Sequence, residues 1–407
     1  MRTRTWCVAA ALVCLPRLAA AQAVLSEADA LARLSAESPR VRAIKAAIEI
    51  SRAEGLAAGR WPNPKVTFNR EAVAGVIENM FLVTQPLPIT GRHGLDVSAA
   101  SKLVTATELR ADGEIRQVRA ALRGAYADLV SAQAREAEIA AARDRLRGLA
   151  GILARRETAG EAAGYDRLRA EREAMELDAD LAAARADRAR AQAELAGFFA
   201  PSAGTTSITA AAPQPSDRAA LPGVEELVAR AEADLPELAA LRHEIESADF
   251  ATRAAERRPV PEPEIVAGTK SSNLGGGDIG SVFSIHVTVP LFDHAKPEQA
   301  LAQARRAQAE ARMAAFEASL RAQILALRGI VLERRQGADN YRASTAASAT
   351  QLERIALVSY DAGERGILEL LDAYRSSSAA RVRQAVLDAA TRHAEIELEL
   401  VSGWEIR

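Results

Sequence analysis

Val282-Phe283-Ser284-Ile285-His286-Val287-Thr288-Val289 is the clearest strand pattern in a sequence that otherwise reads as helix. Phe283, Ile285, Val287 and Val289 alternate with Ser284, His286 and Thr288, the two-residue period of a strand. One face is apolar and the other small and polar, as a lipid-facing, water-lined barrel requires. The expected partner is Glu264 to Ser272, joined through a polar, Gly-rich loop at 273–277 that would face outward. A weaker pair lies upstream, Lys65 to Val73 and Asn79 to Leu87. Phe68, Phe81, Leu82 and Val83 supply its β-formers, and Pro86 and Pro88 close it.

Around these strands the composition is that of long helices. Charged residues are 26% and aromatics only 4%, and Ala, Glu, Arg and Leu dominate. Two stretches lack proline, 89–200 and 298–407, and each reads as a helical hairpin bent at a glycine-bearing turn. In the first, Ile115, Val118, Leu122, Ala125, Leu129 and Ala132 recur at spacings of three and four; Met313, Phe316, Leu320, Ile324, Leu327 and Val331 do so in the second. Such seams are narrow, of the coiled-coil kind. The helix expected from about Arg92 to Arg155 would be roughly 95 Å long at ~1.5 Å per residue. Ser26 with Asp29 offers a helix start. Ser38-Pro39 breaks and restarts that helix, and Trp61-Pro62-Asn63-Pro64 stops it.

The plan then repeats. Leu235-Pro236 echoes Ser38-Pro39, and Pro261-Glu262-Pro263 echoes Pro62-Asn63-Pro64. Thr288-Val289-Pro290-Leu291 echoes Thr84-Gln85-Pro86-Leu87, and Ala362-Gly363-Glu364 echoes Ala159-Gly160-Glu161. The offsets are 197, 199, 204 and 203 residues. The expected organisation is a signal peptide at 1–23, a first repeat at 24–200, a linker at 201–222 and a second repeat at 223–407.

Residues 1–23 carry Arg2 and Arg4, an apolar core from Trp6 to Leu15, and small residues at Ala19-Ala20-Ala21 for cleavage. Cleavage would take the net charge from −2 to about −5, which gives no case for nucleic acid. Cys7 and Cys14 both fall in this segment, so the mature chain would carry no disulfide or thiolate site. Cys14 is a candidate for lipidation, although Val13 before it is larger than the small residue expected there. No later run of apolar residues is long enough for a transmembrane helix. The five histidines are scattered without metal-ligand spacing. Nucleophile elbows, phosphate loops and dinucleotide fingerprints are absent, so neither an enzyme nor a cofactor is expected.

The fold class expected is mainly α with a small β part: duplicated long helical hairpins plus four strands per chain. Four strands cannot close a barrel, and open edges in lipid leave backbone groups unpaired. Several copies must share one barrel, and packing the hairpins around a common axis covers their narrow seams as well.

At this point the sequence resembles the TolC-type outer-membrane efflux family over essentially the whole mature chain. The resemblance rests on the duplicated plan, on the Pro-x-Pro approaches to the strands, and on the exits at 85–92 and 289–293. Its most specific part is Tyr360-x-x-Gly363-x-Arg365-x-Ile367-x-Glu369-x-Leu371-Asp372-Ala373. The exits and Pro62-Asn63-Pro64 look like the CzcC-like branch associated with heavy-metal efflux. The resemblance implies a homotrimer with a shared twelve-stranded barrel in outer-membrane lipid and an α-helical tunnel in the periplasm of a Gram-negative cell. It also implies docking to a periplasmic adaptor and an inner-membrane pump of the RND type or similar.

By the same resemblance, Glu369 and Asp372 fall where the family lines its tunnel constriction with acids. They are three apart and share a helix face; three copies would give six carboxylates, a ring that favours cations. Glu369 stands where the best-known members have Asp. Tyr360 and Arg365 match residues that tie helices in the shut tunnel, and Asp166 matches the acidic partner of that Arg, so an Arg365–Asp166 latch is expected. The plainer readings are a solvated helix face and an ordinary surface pair. A competing function is a periplasmic coiled-coil adaptor, which would carry compact β domains around one hairpin rather than two hairpins alternating with two strand pairs.

Overall fold

A computed structural model of the chain describes residues 24–160, 164–200, 208–212 and 220–404. The expected signal segment, including Cys14, and most of the expected linker lie outside these residues. The chain runs β1 (Val24–Leu25), α1 (Glu27–Glu37), α2 (Pro39–Ala58), β2 (Lys65–Val73), β3 (Val76–Pro86), α3 (Arg92–Thr158) and α4 (Gly164–Ala196). After β4 (Thr209–Ala210) the order resumes as α5 (Val224–Asp234), α6 (Pro236–Arg257), β5 (Pro263–Ser272) and β6 (Ile279–Val287). The last hairpin is α7 (Lys296–Tyr341), a π-helical segment (Arg342–Ala346), α8 (Ala347–Asp361) and α9 (Ile367–Ser402).

Local chemistry sets these boundaries. Ser26 caps α1, its Oγ accepting from the Asp29 amide at 3.1 Å. Pro39 and Pro236 occupy the first turns of α2 and α6, where a missing N–H costs nothing. The 67 residues of α3 give a rod of about 100 Å.

One antiparallel sheet has the order β2-β3-β5-β6, leaving β2 and β6 as its edges. Register places Val66, Val83, Ala267 and Phe283 in one row, and Phe68 opposite Phe81 on the same face. Ile265 and Ile285 extend that face. Phe68 is 63% exposed and Phe283 70%, so an apolar surface stands uncovered. The opposite face carries Lys65, Asn69, Glu71, Glu264 and His286, with a Glu78–Lys270 ion pair at 2.7 Å, beside Leu82, Val266 and Val282. At Gly268 an added Cβ would lie 2.0 Å from the Phe81 carbonyl, so strands β3 and β5 approach only because this residue is glycine.

Three details differ from expectation. β3 starts at Val76, not Asn79, because the β2–β3 turn is Ala74-Gly75 with φ of 51° and 82°. Two left-handed residues make a tight hairpin, and alanine there carries no sequence signature of one. β6 ends at Val287, so Thr288 and Val289 lie beyond it. The stretch taken as linker supplies β4, which pairs in parallel with β1. Tyr126 Oη lies 2.9 and 2.8 Å from the Leu25 and Ala211 carbonyls, pinning this ribbon to α3.

The seams do their expected work. Leu122, Leu129 and Ala132 are buried with Leu34, Leu195, Phe198 and Phe199, and Leu320, Ile324 and Val331 with Leu227, Leu238 and Leu398. Where α3 meets α9, a Cβ on Gly124 would lie 3.2 Å from His393 Cε1, and His393 Nε2 sits 2.8 Å from Asp128 Oδ1. That hydrogen bond, against opposing burial, raises the imidazole above its ordinary value. The pair therefore stabilises the fold fully below the unfolded value of ~6.5, and the contribution is lost as pH rises through the raised folded value. His393→Gln is expected to lower the melting temperature at acidic pH and to leave it near wild type at alkaline pH. Equal losses at both would contradict this assignment.

Candidate functional site

The far ends of the hairpins converge in one apolar cluster. Leu146, Leu149, Ala150 and Leu153 come from α3, Ala170 and Ala174 from α4, and Ile367, Leu370, Leu371 and Tyr374 from α9. The α9 members follow the i, i+3, i+4, i+7 rule of a buried helix face. That burial fixes the other face: Glu369 and Asp372 are exposed, side by side, on the surface turned away from the core. Glu369 also lies in the first turn of α9, where a negative charge is favoured by the helix dipole.

The turn before α9 is closed by its backbone. Gly363 has φ of 73°, and the amides of Glu364 and Arg365 both reach the Ser359 carbonyl, at 2.9 and 3.3 Å. Glycine is favoured where a helix ends in a left-handed residue.

Of the expected latch, the structure brings two members together. Tyr360 Oη donates to Asp166 Oδ2 at 3.2 Å, joining α8 to α4. Burial first, and then the Asp166 carboxylate, push the Tyr360 phenol up. Arg365 is exposed, and within the single chain it is not paired with Asp166 or with any other described residue. The neighbouring cross-tie is Arg156 with Asp361, at 3.1 Å.

Sequence reading missed a stronger junction. Glu353 of α8 accepts from Ser377 Oγ at 2.8 Å and from Arg381 at 3.1 Å, both on α9. It also pairs with Arg145 of α3 at 3.2 Å. One carboxylate thus ties α8 to both hairpins, with its side chain only 14% exposed. Among 54 acidic residues nothing in the local sequence distinguishes it. Among the described residues no group of three His, Cys, Asp or Glu side chains is placed to hold a metal, and no helix is long and apolar enough to cross a membrane.

Residues 227–403 match a protein family described as outer membrane efflux protein. No curated protein matches the sequence. Among solved structures, a membrane protein from Pseudomonas aeruginosa is 20% identical, with 93% of each chain covered and a TM-score of 0.77. The CmeC outer membrane channel of Campylobacter jejuni is 13% identical over 93% of this chain and 85% of that one, with a TM-score of 0.77. The MtrE outer membrane channel of Neisseria gonorrhoeae, solved in its open state, is 18% identical over 92% and 88%, at 0.72. At these identities the likeness carries the fold.

Proposed function

We infer that this chain is an outer membrane efflux protein: a homotrimeric duct that crosses the outer membrane, extends into the periplasm, and there meets an adaptor and an inner-membrane pump. The observation that carries the reading is the sheet. Its strands are 9 to 11 residues long, the length that spans a bilayer when tilted. One face is largely apolar, the other carries the charged residues among a few apolar ones, and the sheet is open at β2 and β6. Edges of this kind are satisfied in lipid only by closure, and head-to-tail copies related by rotation close a ring. Further down, Tyr165, Leu168 and Met175 of α4 and Leu352, Ile355 and Val358 of α8 are exposed, and a neighbouring copy is what would cover them. A periplasmic adaptor would have no use for an uncovered aromatic sheet face.

The division into repeats at 24–200 and 223–407 about a linker belongs to this reading, and it accounts for the twofold occurrence of the element order. So does an acidic constriction built by Glu369 and Asp372. Support for the ring comes from their exposure on one face of α9, at the end of the molecule farthest from the sheet. Three copies would set six carboxylates around the opening, giving a preference for cations. In planar bilayers the purified protein is expected to form channels, and Glu369→Gln with Asp372→Asn is expected to reduce cation selectivity. An unchanged reversal potential in a salt gradient would remove the ring; the absence of any channel from the wild type would remove the duct.

A further inference from the structure

We propose that α8 is a hinged segment of the gate, with the π-helical turn Arg342–Ala346 as its hinge and Glu353 as the clasp that holds it shut. The inference rests on the duct reading and assigns it a moving part. Among the described residues, the two hairpins differ in helical continuity at 342–346. At the offset of 203 set by the tip glycines, Arg342-Ala343-Ser344-Thr345-Ala346 corresponds to Ile139-Ala140-Ala141-Ala142-Arg143, which continues α3 without a break. The alanine-rich stretch is the best helix former available, whereas the hydroxyl-bearing one offers its backbone other partners. Ser344 Oγ donates to the Asn340 carbonyl at 2.7 Å and Ser348 Oγ to the Thr345 carbonyl at 3.1 Å. Back-bonding of this kind competes for helix carbonyls and bends helices.

Packing changes at the same point. Above it α7 is seated in an apolar core through Leu320, Ile324 and Val331. No residue of the π turn is buried, and α8 buries only Ala349. What holds α8 to its own chain is mostly polar: Glu353 to Arg145, Ser377 and Arg381, Thr350 to Arg381, Tyr360 to Asp166, and Asp361 to Arg156. Polar contacts of this kind break and re-form without exposing a core, as a movable element needs. Glu353, with its side chain 14% exposed against 54% for Asp361, reaches two other helices, α3 and α9.

The test is hydrogen–deuterium exchange on the full-length protein, wild type against Glu353→Gln, with single-channel conductance of the same samples. The expected result is several-fold faster exchange across 347–361, no change in 296–335, and the boundary within 342–346. Conductance of the same variant is expected to rise. If Glu353→Gln does not yield folded protein, Arg381→Gln loosens the same clasp from the α9 side and is expected to give the same pattern. Unchanged exchange in 347–361, or a rise spread evenly through α7, overturns the proposal. Exchange is read without any channel measurement, so a wild type that fails to conduct counts against the duct and not against the hinge.

Discussion

Phe283→Arg is expected to abolish accumulation of the protein in the outer membrane. Phe283 lies at the middle of β6, in the row Val66–Val83–Ala267–Phe283 that forms the apolar face. A charge at that depth on the lipid face of a barrel costs about 2–4 kcal/mol per chain, and a trimer meets it three times. The neighbouring Ser284→Arg puts the same charge on the polar face, one residue along. There it is expected to leave assembly intact and to alter only conductance or selectivity. The measurement is the amount of assembled protein recovered from outer-membrane fractions. Equal recovery of the two variants would mean that the faces are not used as described.

Leu370→Ala is expected to loosen the tip without dispersing the trimer. Leu370 is fully buried at the centre of the cluster that joins α3, α4 and α9. Removing its side chain there should cost about 2–5 kcal/mol, the range for a buried leucine replaced by alanine. The loss falls on a region remote from the sheet and from the cores around Leu129 and Ile324, so local opening is the cheaper response. Limited proteolysis should accelerate at the two tip turns while the oligomer survives in mild detergent. Dissociation with no change at the tip would contradict this division of labour.

Much of this architecture was legible in the residues because it depends on periodicity. Strand alternation around Phe283 marks the apolar face, the three-and-four spacing of Leu122 and Leu129 or Leu320 and Ile324 marks the seams, and Ser26 and Pro39 mark helix starts. What escaped depends on exceptions to such rules. Ala74 adopts a conformation that alanine rarely takes, so the β2–β3 turn gave no sign of itself. The π turn at 342–346 differs from a helix by one hydrogen-bond step, and its Arg, Ala, Ser and Thr residues are all permitted in one. At the tip, the motif pointed to Tyr360 and Asp166, which meet, and to Arg365, which stands apart from both in the single chain. Glu353 lies outside any motif; its role comes from the two helices, α3 and α9, whose side chains meet it, and no linear pattern carries that.

Everything rests on copies of this chain completing one another's sheet. The direct measurement is the protein mass of the detergent-extracted complex, by native mass spectrometry or light scattering with the detergent contribution removed. Three chains per particle is the result expected. A single chain per particle, folded and stable with β2 and β6 unpaired, would contradict the account.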